Sequence, residues 1–516
     1  MAAALIVRGT SGSVRGETRV ALHGRASLAA GWGLSVGVAV PVLLAAWVYI
    51  VVRAVRVAFT HDEAISYGII KGVQTFVESA NNQWLNTVAM KVARHLFGES
   101  EVALRSPNIV AFGFYAVACV VLLIQLRRIA ARVAIVTLLV VNPFLLEFFG
   151  LARGYGMCVG FLAAGLACAL FEDGGRTARR ELMRIGGAGV CGVLAFYANF
   201  ACFNIVVVLL GIAGLDLVVK GPRREALAHG RRRGIAFSIV GVCAVALVPG
   251  ILQVQALREH GQLYYGGHTS FVTDTIDSLL GASSCGYFCK PSWLDTASTS
   301  IILTAAFGVI WSVWSGIRSK SISNLQRAAL VFAVPVLGVL LEFAVLGTLY
   351  PLDRTALVYL VTFAVLIGFT MDDLVNVTSS AVAKSVLLVG SLVVFGLSTD
   401  NFVSYANVSQ ATIWTYDASA HEAIDAAIRF EREVGRPAQS WRLISGFPRE
   451  ESMNYYRVRF KLGWLQPVGR EPTSTPGGDL YYVGVSELNE LPPGTTLLAS
   501  FPSTDTQLRA AAGLRR

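Results

Sequence analysis

Hydrophobic positions in this chain fall in blocks of roughly 17–25 residues, the length a helix needs to cross a bilayer. Short polar stretches separate the blocks. Lipid offers no partner for open backbone groups, so such blocks are read as helices. Eleven are read, near 34–58, 105–125, 130–148, 154–171, 185–200, 202–219, 234–254, 298–316, 328–348, 355–371 and 383–399. The connection 59–104 differs: Ile65, Ile69, Val73 and Phe76 repeat at helical spacing, and so do Trp84, Val88, Val92 and Leu96. Neither stretch is apolar enough to span, which predicts two helices lying in the membrane interface.

Beyond residue 400 the pattern changes again. His421–Val434 has an amphipathic helical period, and Met453–Leu462 reads as a second helix. Trp441–Ser445, Leu480–Val485 and Thr496–Phe501 read as short strands. The predicted architecture is therefore an all-α polytopic membrane domain with about eleven transmembrane helices, 34–400, followed by a small α/β domain, 401–516. Residues 1–33 form a tail ahead of the first block, which is too long for a cleaved signal and is read as an anchor.

The formal net charge of +10 would fit nucleic acid, but the positions of the charges do not. The surplus lies in short loops: Arg127 and Arg128; Arg176, Arg179, Arg180 and Arg184; Lys220 to Arg233; Arg318, Lys320 and Arg327. Short basic loops of multi-pass proteins face the cytoplasm. With eleven spans this predicts a cytoplasmic N-terminus in a cell membrane, an external C-terminal domain, and no nucleic-acid partner. The segments 59–104, Phe149–Tyr155, 257–297 and Tyr350–Arg354 then lie outside. The eight cysteines have no zinc spacing. Cys285 and Cys289, in an external loop, predict a local disulfide.

The polar residues at these outer boundaries are the candidates for chemistry. Asp62 and Glu63 stand side by side after the first span, preceded by His61; a helix N-terminus would also explain them. Asn81 and Asn82 offer donors and acceptors to a hydroxyl-rich ligand, or form a turn. Arg153 and Arg354 suit a phosphate, or anchor spans at the interface. Tyr155, Tyr264 and Tyr265 fit a sugar site or an aromatic belt. Together, carboxylates, amides and two arginines on one face suit a lipid-linked phosphate and a polar acceptor.

The stretch His61–Phe112, the segment LEFFGLARGYGMCVGFLAAGLA at Leu146–Ala167 and the turn YPLDR at Tyr350–Arg354 resemble the glycosyltransferase-C superfamily. The nearest likeness is to bacterial members akin to protein O-mannosyltransferases and aminoarabinose transferases. The resemblance implies an inverting transfer of a sugar from a polyprenyl phosphate to an extracytoplasmic lipid, glycan or protein. It makes Asp62 the general base with Glu63 its neighbour, and gives Arg153 and Arg354 to the donor phosphate. Apart from the resemblance, His61, Asn81, Asn82, Tyr155, Tyr264 and Tyr265 are candidate substrate contacts by residue type and position. Metal dependence is left open: a divalent cation, magnesium or manganese, would sit at Asp62 and Glu63 if one is used. Many relatives carry Asn-His-Pro where this chain has Asn82-Gln83-Trp84, so no role passes to a histidine there. Two rival readings stand beside the enzyme: a transporter of lipid-linked saccharides and an inactive membrane scaffold. A transporter would show mid-membrane ionisable groups and internal repeats. Glu147 and Glu342 lie instead towards outer span ends, and no repeat is visible.

Overall fold

The computed structural model describes residues 37, 39–73, 79–171, 178–219, 226–286, 290–319, 322–435 and 439–514. The tail 1–33 and Cys289 lie outside the described residues. The membrane part runs through α1 (Ala39–Arg56), α2 (His61–Lys71), α3 (Trp84–Phe97), α4 (Glu101–Gln125), α5 (Ile129–Val140), α6 (Pro143–Glu147), α7 (Gly154–Leu170), α8 (Ala178–Ala198), α9 (Phe203–Val219), α10 (Ala226–Glu259), α11 (Ser278–Ser284), α12 (Leu294–Ser319), α13 (Asn324–Leu346), α14 (Leu357–Val377) and α15 (Ala381–Tyr405). The protein is a multi-pass membrane protein. Among the described residues, eight helices are long and apolar enough to cross a membrane, or nine if the pair around the 52° bend at Val141–Asn142 is one span.

The expected number of eleven is therefore not reached on length. Every expected block contains helix, but Gly154–Leu170 and Phe200–Gly214 are short. At about 1.5 Å per residue, 17 residues lie at the short end of what crosses the roughly 30 Å hydrocarbon core. Helix α7 is buried along nearly its whole length, so other helices rather than lipid surround it. At the end of the bundle that joins α4 to α5, the Arg127 and Arg128 N–H groups both donate to the Asp372 carboxylate, at 2.7 Å each.

The C-terminal part holds α16 (Ala420–Val434), β1 (Leu443–Ser445), α17 (Glu450–Arg459), β2 (Leu480–Gly484), β3 (Thr496–Phe501) and β4 (Thr506–Ala510). The strands form one sheet in the order β1-β2-β4-β3; β1 and β2 are parallel and the other pairs antiparallel. The sequence reading omitted β4. The segment 257–297, read as a polar loop, contains the end of α10, a π-helical turn at Phe271–Asp277 and α11.

The two parts share a core. Phe59, Tyr67, Met90 and Leu104 pack with Ile424, Phe430, Tyr455 and Tyr456. Phe59 stacks on Tyr455 with ring centroids 3.9 Å apart, and the Tyr456 hydroxyl accepts the Phe59 N–H at 2.8 Å. The α/β part is thus fastened to the start of α2, where the candidate carboxylates lie.

Candidate active site

The corner between α1 and α2 sets the direction of each carboxylate. Thr60 caps α2, its hydroxyl accepting the Glu63 N–H at 3.4 Å while Glu63 accepts the Thr60 N–H at 2.9 Å. Such a reciprocal box satisfies two backbone donors that a helix start leaves open. Asp62 is therefore not the cap. Glu63 is fully buried and holds Arg105 through two oxygens, at 2.8 and 2.6 Å; it also accepts the Ala152 N–H at 2.5 Å. Its bonding is spent on the scaffold. Successive helical residues point about 100° apart, so Asp62 turns the other way and lines a large cavity that Glu63 does not reach.

Arg153 is positioned by its neighbours. The Ala152 carbonyl accepts from Asn86 at 2.9 Å, and the Gln83 side-chain oxygen accepts the Gly154 N–H at 2.5 Å. Position 154 requires glycine, because a Cβ there would sit 2.0 Å from the Ala198 carbonyl oxygen. The buried guanidinium donates to the Asp62 carbonyl (3.1 Å), the Ser66 hydroxyl (3.3 Å) and the Asn81 carbonyl (3.3 Å), and lies 3.5 Å from the Asp62 carboxylate.

Arg354 approaches the same carboxylate from the other side, at 3.9 Å. It follows Asp353, whose φ of +40° lies where non-glycine residues carry strain. Asp353 is held by the Tyr265 hydroxyl and donates its N–H to Ser278 at 2.9 Å. Arg354 then donates to the hydroxyls of Tyr155 (3.2 Å) and Tyr265 (3.0 Å), and its guanidinium lies 4.1 Å from the Tyr265 ring centre and 5.2 Å from that of Trp414. The backbone bridge between Gly267 and Tyr350 brings the Tyr264–Tyr265 segment alongside.

Burial pushes the Asp62 carboxyl up, but Arg153 and Arg354 outweigh it, with His61 and the Trp414 indole adding to them. The net effect holds Asp62 below its ordinary value, so it is an anion at neutral pH. Asp417 shows the opposite result. Burial drives it well up, and the nearby Asp62 and Glu63 charges raise it further, despite hydrogen bonds from Ser452 and the His61 N–H.

The cavity measures about 1660 Å³. Pockets for single small ligands run to roughly 1,000 Å³, so this one has room for two substrates. Asp62, His61, Asn81, Asn82, Arg153, Tyr155, Tyr264, Tyr265, Arg354 and Cys285 all line it. Its apolar lining includes Phe196, Phe203, Ile251 and Val339. The Asn81 amide donates to the Asp62 carbonyl at 3.5 Å, and Asn82 accepts from Thr87 at 2.9 Å. Cys285 is disulfide-bonded.

A two-carboxylate cation site at Asp62 and Glu63 does not fit this geometry. Asp62 faces two guanidiniums, Glu63 is saturated by Arg105, and the two diverge. Among the described residues no three His, Cys, Asp or Glu side chains converge to hold a metal ion.

Several contributors escaped the sequence reading. Trp414 and Tyr416 reach the cavity from the linker after α15. That linker is clamped by Arg53, which donates to the Asn407 and Gln410 carbonyls and pairs with Glu147 at 3.0 Å; Glu147 in turn accepts the Thr412 N–H at 2.8 Å. Arg53, three residues ahead of Arg56, and a lone glutamate, Glu147, inside apolar blocks were the available signal.

No protein-family model and no curated protein matches the sequence. Solved structures do match. ArnT from Cupriavidus metallidurans in the apo state matches with a TM-score of 0.52 at 14% identity, over 94% of this chain and 99% of that one. The same protein bound to undecaprenyl phosphate matches with a TM-score of 0.50 at 13% identity, over 93% and 99%. Across both its membrane and its C-terminal parts, the chain has the fold of ArnT.

Proposed function

We propose that this protein is an inverting glycosyltransferase that moves a sugar from a polyprenyl phosphate to an extracytoplasmic hydroxyl acceptor, with its N-terminus in the cytoplasm. The observation that carries the reading is one ionised carboxylate, Asp62, flanked by two cavity-lining arginines at 3.5 and 3.9 Å. The undecaprenyl phosphate bound to the ArnT neighbour supports a donor of this class.

The roles follow from the chemistry. Arg354, and Arg153 behind it, take the donor phosphate; a planar guanidinium offers two parallel donors to phosphate oxygens. The acceptor oxygen attacks the anomeric carbon from the face opposite the phosphate. Its proton passes to Asp62, the carbon–oxygen bond to phosphate breaks, and the lipid phosphate leaves with the electron pair. Phosphate also adjusts the base. While the arginines face Asp62, its basicity is low. A phosphate that shares their charge raises it, so Asp62 becomes a better proton acceptor once donor is bound.

The test is binding of undecaprenyl phosphate to the purified full-length protein. Arg354→Lys keeps the charge but loses the fork, and weakens binding about tenfold or more. Unchanged binding in both Arg354→Lys and Arg153→Lys would make the arginines anchors of Asp62 alone and remove the donor assignment.

A further inference from the structure

The α/β part does not merely cap the membrane helices; it builds one wall of the cavity. Among the described residues, Phe447, Pro448, Glu451 and Arg470 line it from that side. Phe447 is 60% exposed, a high value for an aromatic ring that is nevertheless held in place. The Arg470 guanidinium lies 4.5 Å from its ring centre, and the His61 ring meets it edge-on at 5.7 Å and 88°. His61 is only 6% exposed, lines the cavity, and keeps a ring nitrogen, Nδ1, without a hydrogen-bond partner. It immediately precedes Asp62. A fixed aromatic platform therefore leads directly to the proposed base.

The charge on this wall narrows what docks there. Among the described residues its lining guanidinium is Arg470, which already pairs with Glu450 at 2.6 Å, and Glu451, itself partnered, lies beside it. On this wall, among the described residues, a phosphate-bearing acceptor would meet no surplus positive charge. An uncharged sugar would meet an aromatic face for its C–H surface, carboxylate oxygens for its hydroxyls and guanidinium donors for its oxygens.

We infer that the Phe447–Glu451 turn, Arg470 and His61 form the acceptor subsite, and that the acceptor is a neutral, hydroxyl-rich glycan rather than a phosphorylated lipid or a protein. This rests on the transferase reading above. The glycan lies against Phe447 and presents one hydroxyl past His61 to Asp62. Bond changes are those already described.

The experiment compares cells lacking the protein with cells restored by wild type, Phe447→Ala, Phe447→Trp or Asp62→Asn. Mass spectrometry follows the added sugar in the neutral-glycan, phosphorylated-lipid and protein fractions. Undecaprenyl phosphate binding is measured on each purified full-length variant. The expected result is a sugar on neutral glycan, reduced about tenfold in Phe447→Ala, a loss the size of one aromatic contact. Undecaprenyl phosphate binding stays within about twofold, and Phe447→Trp restores transfer. A sugar on phosphorylated lipid or protein, or full occupancy in Phe447→Ala, would overturn the subsite while leaving the transferase reading in place. If Phe447→Ala also loses undecaprenyl phosphate binding, Phe447→Trp decides: restored transfer supports the platform, and persistent loss of transfer with binding intact overturns it. No added sugar in any fraction, or full occupancy with Asp62→Asn, would remove the transferase reading and the subsite with it.

Discussion

Two adjacent carboxylates have opposite fates here, and the difference is the central residue-scale result. Glu63 neutralises Arg105 in the dry interior, whereas Asp62 faces the cavity between two guanidiniums. The sequence showed the pair, and a helix starting there turns Glu63 away from Asp62, but it did not show Glu63's partner. Helical geometry sends neighbours in different directions, and which one meets Arg105, 42 positions away, depends on packing. Removing one partner of a buried ion pair costs about 3–5 kcal/mol. Glu63→Gln should therefore lower thermal stability strongly, and Asp62→Asn, at the cavity edge, should not. Equal losses would mean Asp62 is also structural. The pH dependence of activity offers a second check. With the Asp62 carboxyl held below its ordinary value of about 4, kcat/KM should stay flat from neutral pH to about 4 and fall only below that, as the carboxylate takes up a proton. An acid limb near pH 6 would show that the free enzyme's base is another group.

At the scale of elements, the periodic stretches were readable and the connections between them were not. The two amphipathic stretches became α2 and α3, although α2 ends at Lys71 with a left-handed cap at Gly72. Segment 257–297 has no strong period. Its fold comes from distant bonds, such as Thr275 to the Pro351 carbonyl at 2.7 Å and Asp353 to Ser278 at 2.9 Å. Glu99 shows how α2 and α3 are tied together, since it accepts from Lys71 at 3.0 Å and Arg94 at 2.7 Å. Burial acts to raise its carboxyl, but bonds from Arg94, Lys71 and Tyr67 outweigh this and bring it down to about 2. A depressed carboxyl contributes stability that is present above the unfolded value of 4.5 and is lost as pH falls towards 2. Wild type should lose thermal stability across that window, and Glu99→Gln should lose less. Parallel pH curves for the two would contradict the tie.

At the scale of the molecule, the block pattern gave the membrane class and the mixed C-terminal fold, because bilayer thickness and backbone satisfaction leave few alternatives. The site was less readable. Asp62, Arg153 and Arg354 were readable as one group on one face, but Trp414, Asp417 and Phe447 arrive from the C-terminal third of the chain with no local motif. They matter because the α/β part shares a core with α2, which joins the base to both proposed substrate walls. The measurement that tests this account most directly is a single turnover of undecaprenyl-phosphate-linked sugar by the purified protein and its Asp62→Asn variant, with envelope acceptor from cells lacking the protein. The account predicts that the variant binds undecaprenyl phosphate as well as wild type and transfers about 10²–10⁴-fold more slowly, the usual contribution of a positioned base. Transfer near the wild-type rate would contradict it.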